Sequence, residues 1–147
     1  MTDWLQLDPT KLNRPRTRKV RGVQINVLLS PYDVPQAVRG NYDQSLQRFV
    51  IEFLYLGDEP WRRDLKDAVI TLRIGKNSER LLGIEVNVHC IQAEAVELRM
   101  HVAQAVTKAI EHLASQHAGS RHSGSYEVAK DAISETKDKL FKELTKP

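Results

Sequence analysis

Six cations fall within eleven residues near the start of the chain: Lys11, Arg14, Arg16, Arg18, Lys19 and Arg21. Guanidinium and ammonium groups at this density neutralise phosphates, and each such contact on a duplex releases condensed counterions. Arg14, Arg16 and Arg18 alternate, so an extended backbone turns three guanidinium groups to one side. The 147-residue chain carries 22 Lys plus Arg against 19 Asp plus Glu, a net charge of +3. Residues 1–21 hold six bases and two acids, and the rest of the chain holds 16 bases and 17 acids. The positive excess therefore lies wholly in the leading segment, which reads as a contact for nucleic acid or for an acidic protein. The same cations would also suit a solubilising tail, or pairing with acids of this chain or a neighbouring subunit. Arg62 and Arg63 follow Trp61, and indole beside guanidinium suits stacking on a base or holding an anion. A tryptophan after Pro60 equally suits plugging the edge of a core.

A second group could do acid–base chemistry. Period-two alternation places Gln24, Asn26, Glu52, Thr71, Arg73, Glu85, Asn87 and His89 on one side of an antiparallel sheet. There His89 would act as general base or acid, with Glu85 or Arg73 as electrostatic support. Glu85 and His89 are four residues apart on one strand, roughly 13 Å, so only cross-strand neighbours could complete the set. A solvated sheet face shows the same pattern. No residue is therefore assigned as catalytic.

Other signatures are missing. The seven glycines never form GxGxxG or GxxxxGK, and the chain has no GxSxG, HExxH or paired CxxC. His112, His117 and His122 recur every five residues, which on a helix spreads the rings by roughly 140° per step, with no thiol or carboxylate beside them. No metal and no cofactor is expected. Cys90 follows the inward alternation of its strand and reads as a buried thiol.

The elements that must position these groups follow from periodicity. The composition, 41% hydrophobic and 28% charged, is that of a single globular domain burying roughly two-thirds of its unfolded surface. One cysteine excludes an internal disulfide framework, and no apolar run approaches the roughly 20 residues of a membrane span. Asp3 and Asp8 stand where a secretion signal would be basic and then apolar, so the cytoplasm is the expected compartment.

Pro9 and Pro15 block regular pairing, so residues 1–19 are expected as a basic extended arm. Within a core domain over 20–116, four strands are expected: Val20–Leu29, Leu46–Leu56, Ala68–Ile74 and Arg80–Ile91. Residues 31–45 carry Pro31, Pro35, Gly40, Asn41 and Asp43 and read as a loop, and residues 61–66 as a short helical turn capped by Asp58. Val96, Ala103, Val106, Ile110 and Leu113 then recur at helical spacing through a long amphipathic helix over 93–116. A Gly/Ser linker at 117–125 separates it from a C-terminal helix over 126–147.

The expected architecture is α+β: a four-stranded antiparallel meander with the long helix on one face. The C-terminal helix would offer Ile133, Leu140, Phe141 and Leu144 to its own chain or to a partner, with a homodimer as the default assembly. Together these features describe a non-enzymatic module that binds an anionic macromolecule and self-associates. The competing reading is a small enzyme built around His89.

Overall fold

A computed structural model describes residues 3–57, 59, 62–91, 93–94, 97–117 and 122–145. The class is α+β, as the periodicity implies, but the sheet is larger than the expected four strands and is ordered differently. Its strands are β1 (Leu5–Gln6), β4 (Ala37–Asp43), β5 (Arg48–Leu54), β6 (Arg62–Lys66), β7 (Ile70–Gly75) and β8 (Leu81–Asn87). They lie antiparallel in the order β1-β4-β5-β8-β7-β6. The expected meander is thus corrected: β8 sits between β5 and β7, with Ile51 opposite Ile84 and Leu72 opposite Ile84 on its two sides.

Three segments that lack strand-like patterning complete the sheet, the short β1 in the expected arm among them. The expected loop contains β4, which reaches across to Phe49 and the C-terminal helix through Gly40. A Cβ at Gly40 would lie 2.6 Å from Phe49 Cζ and 2.8 Å from the Leu140 carbonyl oxygen, so the chain needs glycine there for packing rather than for a turn. The expected helical turn at 61–66 is instead the edge strand β6, whose Arg62, Arg63, Asp64 and Lys66 discourage edge-to-edge pairing. Trp61 and its expected cap Asp58 lie outside the described residues.

Two helices cover one sheet face, α2 (Leu98–Gln116) and α3 (His122–Leu140). The first begins five residues later than the periodicity suggests, and α3 begins inside the expected linker. Val102, Val106, Ile110 and Leu113 of α2 are buried against the sheet's Phe49, Ile51, Ile84 and Val86 in one hydrophobic core. Full burial of each such side chain stabilises the fold by about 1.5–3 kcal/mol. Ile133, Leu140, Phe141 and Leu144 also belong to this core, each no more than 4% exposed, and Phe141 packs on Phe49 with ring centroids 5.4 Å apart. The apolar stripe expected to meet a partner is therefore used within its own chain. No described helix is long and apolar enough to cross a membrane.

The leading segment is built rather than free. Asp8 caps α1 (Pro9–Leu12) by accepting from the Thr10 and Lys11 amides, and Pro9 opens that helix instead of blocking structure. Leu12 is buried, which pins the segment to the body. The chain then forms β2 (Arg16–Val20) and β3 (Val23–Val27), a separate two-stranded antiparallel sheet. The period-two pattern from Val23 does mark a strand, but its partner is the expected arm and not the main sheet.

A basic two-stranded ribbon as the candidate functional site

The ribbon closes on a two-residue turn. Val20 pairs with Val23, and between them Arg21 and Gly22 take positive φ values of 52° and 80°. Two left-handed residues in succession match the twist of the flanking strands, and β-branched residues on both sides extend the pairing. At the other end Asn13 acts as an extra rung: its amide nitrogen donates to the Leu29 carbonyl, and its oxygen accepts from the Leu29 amide, each at 2.9 Å. Leu29 packs on α3 at Gly124, where a Cβ would come within 2.9 Å of its Cδ2.

Electrostatics hold the base of the ribbon to α3. Glu127, Asp131 and Glu135 repeat every four residues and so form one acidic stripe. Arg16 donates to Asp131 at 2.8 Å and to Glu127 at 3.3 Å, while Arg14 lies 3.6 Å from Asp131 and Lys11 3.7 Å from Glu135. Three of the six sequence-selected cations are therefore matched by acids of the same chain. Their spacing at four on α3 is the signal that would have shown this pairing in the sequence.

Beyond that base the ribbon stands clear of the body. Every residue from Arg21 to Asn26 is exposed, as are Thr17 and Lys19. Neither Lys19 nor Arg21 forms an ion pair with a described residue, and the chain has no acid from Pro9 to Tyr32. Arg18 lies on β2 opposite Ile25. Opposed residues of an antiparallel pair share a face, so Thr17, Lys19, Gln24 and Asn26 make a polar face and Val23 and Ile25 lie on the other. The Thr17 hydroxyl donates to Asn26 Oδ1 at 3.1 Å, which orients that amide. Thr17 was not singled out as a binding residue because it falls in the expected extended arm, and Gln24 and Asn26 because their strand was assigned to the main sheet.

The remaining sequence candidates are scattered. Arg62 lies 3.7 Å from Asp64 on the exposed edge strand, and Arg63 is ion-paired with Glu79. Glu52, Thr71, Arg73, Glu85 and Asn87 do share the open sheet face, whereas Gln24 and Asn26 belong to the ribbon. On that face Glu85 is held between Arg48 at 3.3 Å and Arg73 at 3.4 Å. His89 is instead exposed in the 3-10 turn Val88–Cys90, with its Nε2 3.5 Å from Cys90 Sγ. A groove of about 310 Å³ on the open face is lined by Glu52, Glu59, Arg62, Arg73 and Arg80 among others, and includes neither His89 nor Glu85. The alternation that placed His89 on the sheet and Cys90 inward ends at Asn87, and Cys90 is exposed. His117 and His122 meet edge to face, their centroids 6.2 Å apart.

No family model, no curated protein sequence and no solved structure matches this chain. A functional reading therefore rests on the chemistry of the ribbon.

Proposed function

We propose that the protein is a non-enzymatic nucleic-acid-binding module that grips its ligand with the β2–β3 ribbon. One observation carries the reading: an acid-free segment exposes Lys19 and Arg21 on a projecting two-stranded element, while the rest of the chain has no positive excess. Phosphates drawn to this chain would meet the ribbon tip first, because Lys11, Arg14 and Arg16 at the base are already paired with the acids of α3. Val23 and Ile25, 60% and 41% exposed, support a second part of the reading, in which two copies associate through the ribbon's other face.

Fluorescence anisotropy of labelled duplex DNA, single-stranded DNA, RNA and poly-glutamate tests this reading at two salt concentrations. Two to three phosphate contacts on a duplex correspond to a log–log salt slope of about −1.8 to −2.7. The double substitution Lys19→Ala/Arg21→Ala should flatten that slope by about 2 and weaken binding to every nucleic acid. Binding confined to poly-glutamate, or unchanged by the double substitution, would overturn the proposal. Sedimentation velocity of the full chain and of Ile25→Thr reports on association: the substitution should shift a dimer towards monomer.

A further inference from the structure

The geometry of the ribbon points to a more specific ligand: we infer that it enters the major groove of B-form DNA and reads base edges with Gln24 and Asn26. This rests on the ribbon being the nucleic-acid contact. Two strands about 4.8 Å apart fit a groove roughly 12 Å wide, whereas the major groove of A-form RNA is too deep and narrow for side chains to read. The polar face carries the residue types that base edges require. Asn and Gln amides each form a paired donor–acceptor contact with adenine N6 and N7, and Lys reaches phosphate or guanine.

Spacing supports the same assignment. Gln24 and Asn26 are alternate residues on β3, so their side chains emerge on one face about 6.8 Å apart, which matches two base-pair steps of about 3.4 Å. Thr17 fixes the Asn26 amide through one oxygen lone pair, leaving the second lone pair and the NH₂ for the base. The hydroxyl thus acts as a positioning group. Lys19 lies beside Gln24 in register, and Arg21 crowns the tip, so both phosphate contacts lie at the Gln24 end of the reading pair. The bound sequence should therefore contain A·T pairs at two positions two steps apart.

Iterative selection from a randomised duplex, read by sequencing, tests this inference with the full-length protein. Enrichment of A·T at two such positions is expected, with a preference of roughly ten- to a hundred-fold over the exchanged base pair at each. Gln24→Ala and Asn26→Ala should each erase the preference at one position and leave the preference at the other in place. Thr17→Val should weaken the preference at the Asn26 position alone. Replacing adenine by 7-deazaadenine, which lacks the major-groove acceptor N7, should reproduce the loss. All substituted residues are exposed, and circular dichroism checks that each variant folds. If the protein binds duplex and single strands alike with no enriched sequence, yet loses binding in Lys19→Ala/Arg21→Ala, the groove-reading inference fails and the binding proposal stands. If it binds no nucleic acid, both fail.

Discussion

Arg16 of the ribbon donates to Asp131 of α3 at 2.8 Å, and this contact is the main polar tie between the projecting element and the body. Both side chains are about a quarter exposed, and Arg16 Nε is buried without an acceptor among the described residues, so the net stabilisation is modest, about 1 kcal/mol. Its larger effect is on orientation. An isolated two-stranded ribbon is marginal in water, so its order depends on what holds its base. Asp131→Asn should lower the urea midpoint slightly while accelerating amide exchange in Arg16–Val27 much more than in Arg48–Leu54. Equal exchange in the ribbon of both proteins would show that Asn13 and Leu29 suffice.

Arg80 carries a heavier structural role. Its guanidinium is buried, lies over the Tyr55 ring at 4.7 Å, and donates to Ser78 Oγ and the carbonyls of Tyr32 and Gly57 at 3.0, 2.9 and 3.3 Å. Glu59, 3.9 Å away, balances the charge. Removing one member of such a set strands the others, at a cost of about 3–5 kcal/mol. Arg80→Met should therefore lower Tm by roughly 10 °C, and Arg80→Lys should recover little because a single ammonium cannot reproduce the planar fork. Adding Glu59→Gln to Arg80→Met should restore part of the loss in a double-mutant cycle, whereas strictly additive losses would mean that the two groups are uncoupled.

The parts of the fold that were legible in the sequence are those where burial sets the pattern. Phe49, Ile51 and Phe53 alternate because β5 is central, and Val102, Val106, Ile110 and Leu113 recur because α2 buries one stripe. The strand β4 was hidden by Gly40, Asn41 and Asp43, which resemble loop formers, although Gly40 is set by the approach of Phe49 and Leu140. Edge strand β6 was hidden because an edge tolerates charge and shows little apolar alternation. The basic cluster was visible as charge, but its division into a neutralised base and an exposed tip depends on α3, more than a hundred residues away in sequence. His89 was misplaced because a period-two pattern does not reveal the residue at which a strand gives way to a turn.

Gly40 gives a stringent packing test. A methyl group there meets the Leu140 carbonyl, which is backbone and cannot rotate away, as well as the Phe49 ring. Gly40→Ala should destabilise the protein by about 1–3 kcal/mol despite the better strand propensity of alanine, because overpacking forces β4 and the end of α3 apart. Calorimetry reads the result directly, and a stability gain would contradict the close approach.

Acid sensitivity should centre on Glu59. Burial pushes its carboxyl upward, but the Ser78 hydroxyl and the Asn77 and Ser78 amides outweigh this and hold it below its ordinary value of 4.5. A carboxylate lowered in the folded state adds stability that is complete above about pH 4.5 and is lost as pH falls through the folded value. Urea titrations across this range should show the decline in the native protein and a shallower one in Glu59→Gln. Parallel curves would assign the acid response elsewhere, such as to exposed Asp43, whose carboxyl is lowered chiefly by the Ser45 hydroxyl.

At alkaline pH the sign reverses and Tyr126 becomes the relevant group. Its hydroxyl donates to the Glu79 carbonyl at 2.7 Å, and burial first, then the Glu79 charge, push its ionisation from 10.0 up to about 12. The unfolded chain loses this proton near pH 10 while the native chain keeps it. The stability it contributes is therefore complete below that pH and disappears as pH rises towards 12. One retained proton corresponds to a slope of up to about 1.4 kcal/mol per pH unit. In Tyr126→Phe the fall of unfolding free energy with pH over this window should be shallower by up to that amount, alongside a loss of about 1 kcal/mol at neutral pH from the missing hydrogen bond. Tyr55, whose hydroxyl donates to the Leu81 carbonyl and whose burial pushes it upward as well, remains in both proteins, so the difference isolates Tyr126. An unchanged slope would mean that the Tyr126 phenol ionises in the folded protein as readily as in the unfolded chain, contrary to its buried hydrogen bond.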